Sequence, residues 1–154
     1  HLSTLKKNKN IESDNSFSTS PVYILYVKWK NLILSERESL NKTLKGVHFE
    51  ERKKAILAFY EHTFSYLDYS VFIRRIDSKL NNFASKLLVE HPVLSKKELT
   101  LACFYLMEIS DSDILFILDY SASSLPTVKH RLCNKLGLDH ASDLKNYLLS
   151  FLII

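Results

Sequence analysis

Two glycines and three prolines in 154 residues are too few turn-formers for the many tight bends of a sheet-rich fold. The expected fold class is all-α. Two cysteines, Cys103 and Cys133, with no C-x-x-C pair, exclude a disulfide framework and a zinc ribbon. They read as free thiols in a reducing compartment, so a cytoplasmic location is expected. No apolar run reaches the roughly 18 residues of a membrane span. The richest window, 22–34, is interrupted by Lys28, Lys30 and Asn31. A secretory signal pattern is absent, and a start at His1 rather than Met reads as a tag remnant or a chain cut from something longer. There is no G-x-S-x-G, no Walker loop and no H-E-x-x-H, and the six histidines are scattered. A protein without catalytic activity, cofactor or evident small-molecule substrate is expected.

What is present is apolar surface at helical spacing. The chain is 46% hydrophobic, ample for a core. Residues 1–20, rich in Lys, Asn and Ser without periodicity, read as a disordered arm. Ser20-Pro21 is a cap followed by a first-turn proline. From there Val22, Leu25, Tyr26, Trp29, Leu32, Ile33, Leu40 and Leu44 line one face of a long helix ended near Gly46. A second helix, about 49–68, buries Ile56, Leu57, Tyr60, Phe64 and Leu67. A third, about 71–89, buries Ile73, Ile76, Leu80, Phe83 and Leu87 before His91-Pro92 turns the chain out of helix. These helices, spanning 21–91, form a bundle or a dimerisation surface; periodicity does not separate the two.

Residues 94–138 carry three short helical patterns with capped joints. Ser95 with Glu98 is a capping box ahead of Leu99, Ala102, Cys103, Leu106 and Met107. Ser110 and Asp113 repeat the cap-plus-acid pattern before Ile114, Leu115, Ile117 and Leu118. Leu125, Val128, Leu132 and Leu136 then point inward, and Gly137 supplies a left-handed stop. Thr127, His130, Arg131 and Asn134 are left on the outward face. Proline is tolerated in a first helical turn and costly beyond it, so Pro126 moves the start of this helix and makes Ser123 or Ser124 its expected cap rather than Ser121.

The segment resembles the C-terminal DNA-binding domain of the LuxR/GerE regulators, whose pattern runs L-T-x-R-E, S-N-K-E-I-A, I-S-x-x-T-V-K and K-L-G. The same positions hold Leu94-Ser95 with Glu98, Ser110-Asp111-Ser112-Asp113-Ile114, Tyr120-Ser121 through Ser124-Leu125, and Lys135-Leu136-Gly137. Ala141-Ser142-Asp143-Leu144 with Tyr147-Leu148 is similar to the family's fourth helix. Upstream, Ile76-Asp77, Phe83, Leu87 and His91-Pro92 resemble the joint by which this domain closes long helical-repeat regulators, often membrane-anchored. Three positions depart: Pro126 stands for a lysine, Val128 for a histidine and Glu108 for a glycine.

The resemblance implies long N-terminal amphipathic helices followed by a four-helix, helix-turn-helix DNA-binding domain over 92–154. It implies a sequence-specific transcriptional regulator, or its C-terminal fragment, that acts as a homodimer on double-stranded DNA with a recognition helix of about 124–136 in the major groove. Thr127, His130, Arg131 and Asn134 are the expected base contacts, and Ser124, Lys129 and Lys135 the expected phosphate contacts. Leu144, Tyr147, Leu148 and Phe151, in a last helix of about 141–151, are the expected dimer interface. The alternative is a non-catalytic protein–protein interaction module on a degenerate helix-turn-helix.

Charge complicates this picture. Residues 92–154 hold six Lys and Arg against seven acids, a net of −1, so the excess of +5 lies in 1–91. Within 120–138, however, Lys129, Arg131 and Lys135 face no carboxylate, while Asp111, Asp113 and Asp119 nearby oppose their field. A metal site at His130, Cys133 and His140 is not expected, since Cys133 adjoins the packed face. Tyr26 and Trp29 read as core or interface, and Arg52-Lys53-Lys54 and Arg74-Arg75 as solvated faces.

Overall fold

The computed structural model describes residues 20–154, so the arm expected at 1–20 lies almost wholly outside them. The described residues form eight α-helices and one 3-10 turn, with no strand among them. In chain order they are α1 (Pro21–Thr43), α2 (Phe49–Phe64), α3 (Tyr69–Lys79), α4 (Phe83–Glu90), α5 (Lys96–Leu106), α6 (Asp111–Leu118), α7 (Leu125–Lys135), the 3-10 turn (Ala141–Asp143) and α8 (Leu144–Ile153).

Local chemistry sets most of these limits. The Ser20 hydroxyl accepts from the Tyr23 amide at 3.4 Å with Pro21 in the first turn, and Gly46 at φ +79° reverses the chain after α1. Asp68 caps α3 by accepting from the amides of Ser70 and Val71 at 3.1 and 3.3 Å. The second helix stops at Phe64 because Ser65 turns left-handed at φ 55°, which puts Leu67 outside the helix and 76% exposed rather than buried.

The single helix expected over 71–89 is two helices. Asn81 and Asn82 both adopt left-handed backbone, at φ 54° and 60°, a conformation asparagine tolerates better than most residues. The break is held from both sides. Asp77 accepts from the Ser85 amide at 3.1 Å, and the Asn81 side chain donates to the Leu152 carbonyl at 2.8 Å.

One hydrophobic core runs through the whole of the described chain. Phe64, Phe72 and Phe104, from α2, α3 and α5, meet edge to face with centroids 5.5 to 6.2 Å apart. Tyr26 and Ile33 join from α1, and Tyr147, Leu148, Phe151 and Leu152 from α8. The boundary expected between 21–91 and 92–154 therefore does not divide two cores. His91 and Tyr147 share a buried hydrogen bond of 2.6 Å across it, and α8 packs against α1, α4 and α5. The N-terminal helices are covered within the chain, α2 lying against both α1 and α6. The α1 stripe is only partly covered. Tyr26 and Ile33 are buried, but Leu25 and Leu32 remain 59% and 56% exposed.

Candidate nucleic-acid interface

The Ser95–Glu98 box opens α5: the Ser95 amide donates to the Glu98 carboxylate at 2.8 Å, and the Glu98 amide to the Ser95 hydroxyl at 3.1 Å. Its other end closes as a Schellman turn, with the Ile109 amide donating to the Phe104 carbonyl at 3.0 Å and Glu108 left-handed at φ 58°. A glycine would meet no steric penalty at that position, and the backbone conformation is kept without one. The Glu108 carboxylate is held between Lys30 of α1 and Lys145 of α8.

Ser110 caps α6 through the Asp113 amide at 3.3 Å, and Asp119 closes it left-handed at φ 56°. After α6, the N-cap of α7 is Ser124, one of the two serines expected, but its hydroxyl makes no capping bond, and the side-chain bond at this end belongs to Ser121 in the preceding turn. The Ser121 hydroxyl accepts from the Ser124 amide at 3.2 Å, and its carbonyl accepts from the amides of Ser124 and Leu125 at 3.1 and 3.2 Å. A turn thus precedes α7, and the regular helix begins at Leu125, as late as Pro126 requires. At the far end the Leu138 amide donates to Cys133 O at 2.9 Å and Gly137 to Asn134 O at 3.0 Å, with Gly137 at φ 75°.

Between these stops α7 buries Leu125, Leu132 and Cys133, with Leu136 buried just beyond. Thr127, His130, Arg131 and Asn134 are all exposed, on one outward face. Cys133 faces the core and the exposed His130 does not, so the two do not converge. Among the described residues no group of three His, Cys, Asp or Glu could hold a metal.

The flanking residues divide differently from the expectation. Lys135 is engaged inside the chain, its ammonium 2.8 Å from the Glu98 carboxylate. Burial disfavours that carboxylate, but the Lys135 hydrogen bond and the Ser95 amide and hydroxyl outweigh it and hold its pKa below the ordinary value. Ser124 directs its hydroxyl back to the Ser121 carbonyl at 3.0 Å. Both were expected at phosphates, and both are occupied by the structure that starts and braces α7. Lys129 rests 5.0 Å above the Tyr105 ring, half-buried, which supports its stem and leaves the charge near the surface. Arg131 enters none of the ion pairs among the described residues.

Lys97 was not a candidate from the sequence. Its ammonium lies 4.3 Å over the Tyr120 ring, and it lines a shallow groove of about 280 Å³ together with Arg131, Val128 and Lys135. No pattern within α5 reveals this, because the adjacency arises from tertiary packing.

Of the three acids that oppose the local field, Asp113 has a cation partner. Asp113 is buried, and Arg37 of α1 donates to it through Nε at 2.7 Å and Nη2 at 3.1 Å, with the Tyr60 hydroxyl donating to the same carboxylate. Burial alone would weaken the Arg37 cation, yet the hydrogen bond and charge of Asp113 outweigh it and hold the pKa above its ordinary value. Glu98 and Glu108 are paired as described. The basic excess of the N-terminal half thus enters the C-terminal half as ion pairs from Lys30 and Arg37.

Leu144, Tyr147, Leu148 and Phe151 do not form an outward stripe. They are 3%, 0%, 0% and 1% exposed, covered by α5, α4 and α1 of the same chain, and are not available to a second copy. Both cysteines are free and buried. No helix among the described residues is long and apolar enough to cross a membrane. No protein-family model, curated protein or solved structure matches this chain.

Proposed function

We propose that this protein is a sequence-specific DNA-binding transcriptional regulator of helix-turn-helix type, with α6 bracing α7 and α7 entering the major groove. The observation that carries the reading is the outward face of α7. Thr127, His130, Arg131 and Asn134 are exposed together on a helix with no carboxylate of its own. Arg131 is the principal base reader, suited to guanine, and His130, Thr127 and Asn134 complete the face. Lys97 joins Lys129 in the phosphate role, in place of Lys135 and Ser124, since phosphate contacts fix position without reading bases.

Dimeric binding belongs to the same proposal, with half-sites about one DNA turn, or a multiple of one, apart. Because the α8 stripe lies inside the fold, contact between copies falls to the outward apolar residues of α1, Leu25 and Leu32.

The test is selection from randomised duplexes at low salt followed by anisotropy titration. A motif is enriched, Arg131→Ala weakens binding by about 1–3 kcal/mol and relaxes one base position, and Lys97→Ala weakens all duplexes alike while lowering the salt slope by about one. Failure to enrich any sequence overturns the reading.

The engagement of Lys135 by Glu98, together with the exposure of Leu25 and Leu32, favours the second reading of an interaction module. Under it, partner capture survives removal of Lys97, Lys129 and Arg131 charges and is lost on Leu25→Glu.

A further inference from the structure

A cleft lies away from α7. It occupies about 560 Å³ between the end of α1, the following turn, the start of α2 and the first turns of α6. Five cations line it: Arg37, Lys42, Lys45, Arg52 and Lys53. Its one carboxylate, Asp113, is already satisfied by Arg37 and Tyr60, so the lining has a net charge of about +4 when Asp113 is counted as ionised. Arg52 and Lys53 belong to the run that the sequence reads as an ordinary solvated face; folding turns them toward this cavity.

The remaining lining is aromatic and aliphatic. Phe49 and Phe116 meet edge to face at 5.9 Å, with Leu44 and Ile56 beside them. The Arg52 guanidinium lies 5.7 Å over the Phe49 ring and the Lys53 ammonium 5.4 Å over Phe116, so charge and ring faces share one wall. Free phosphate would leave the rings unused, and an apolar ligand would leave the cations without partners. A volume of this size is ordinary for a small-molecule site.

Duplex DNA seated on α7 would not continue into this cleft. Ser112, Asp113 and Phe116 of α6 face it, whereas Asp111 and Leu115 face the groove between α6 and α7. The two openings lie on different sides of one helix.

We infer that the cleft between α1, α2 and α6 binds a nucleoside polyphosphate, its phosphates among Lys42, Lys45 and Arg52 and its base against Phe49 and Phe116. The inference is independent of the proposed function, and its test contains no DNA.

Isothermal titration of the whole chain with ATP, adenosine and inorganic tripolyphosphate decides it. ATP binds saturably at one site, with tripolyphosphate at least tenfold weaker and adenosine weaker still. Lys45→Glu with Arg52→Glu lowers ATP affinity at least tenfold, and Phe49→Ala lowers it for ATP but not for tripolyphosphate. Lys45, Phe49 and Arg52 are all exposed, so these variants keep the fold, which circular dichroism checks. Arg131→Ala leaves ATP binding unchanged. Equal affinity for ATP and tripolyphosphate, indifference to the charge reversals, or no saturable binding at millimolar ATP each overturns the proposal.

Discussion

Scarcity of glycine leaves a mark on individual residues. Among the described residues, five left-handed backbone positions are occupied by Ser65, Asn81, Asn82, Glu108 and Asp119 rather than by glycine. Each gives up some stability to Cβ crowding, least for asparagine and aspartate. Asp119 is exposed at the end of α6. Asp119→Gly is expected to stabilise the protein by about 0.5–1 kcal/mol, read as a rise in the urea midpoint. Glu108→Gly gains less, because it also removes the carboxylate held by Lys30 and Lys145. That Glu108 occupies a glycine position is legible in the sequence; that its backbone still turns left-handed is not, because the compensating lysines lie far away in the chain.

Together with Asp68 and Glu108, whose carboxyl groups are also held below their ordinary values, Glu98 contributes to the pH dependence at this scale. Its folded pKa lies below its ordinary value, so its contribution is fully present above the unfolded carboxyl range and is lost as pH falls through the folded value. Denaturation curves between pH 7 and 3 are expected to show declining stability below about pH 4.5, with a shallower decline for Glu98→Gln. An unchanged slope in that variant would show that other carboxylates dominate.

Among the elements, α7 shows how far a local pattern reaches. Its inward residues, its outward face and its Gly137 stop follow from spacing alone, since each depends on neighbours within one or two turns. Its N-cap at Ser124 follows too, from the proline in the first turn, but the turn ahead of it, in which the Ser121 hydroxyl accepts from the Ser124 amide, does not. Pro126 leaves the first turn one amide short, and the cation usual at that position in LuxR/GerE patterns is absent. Pro126→Lys restores both. Under the proposed function it tightens binding to all duplexes and steepens the salt dependence by about one unit, measured by anisotropy between 50 and 200 mM salt. The break between α3 and α4 was not legible, because Ile73, Ile76, Leu80, Phe83 and Leu87 keep helical spacing across Asn81 and Asn82. Periodicity survives a tight kink that returns the same face to the core.

At the scale of the molecule, the sequence yields the all-α class and the apolar faces but not which face meets which. The resemblance implied that the α8 stripe is an interface between copies, and nothing local distinguishes a partner in another chain from one in the same chain. In the fold it closes against α1, α4 and α5, and the hydrogen bonds Tyr26 to Leu106 O at 2.6 Å and Asn81 to Leu152 O at 2.8 Å tie both halves together. A 92–154 fragment is therefore expected to lack cooperative thermal unfolding, since it would expose side chains worth about 1.5–3 kcal/mol each when buried. A sharp calorimetric transition from the fragment alone would restore the two-domain division.

The way α7 is fastened has an engineering consequence. A serine turn and a glycine turn fix its two ends, and its anchors all point inward, so the four outward side chains bear no share of the architecture. They are exchangeable without renegotiating the fold: substitutions other than proline and glycine at Thr127, His130, Arg131 and Asn134 should each stay within about 0.5 kcal/mol of the parent, read from denaturation midpoints.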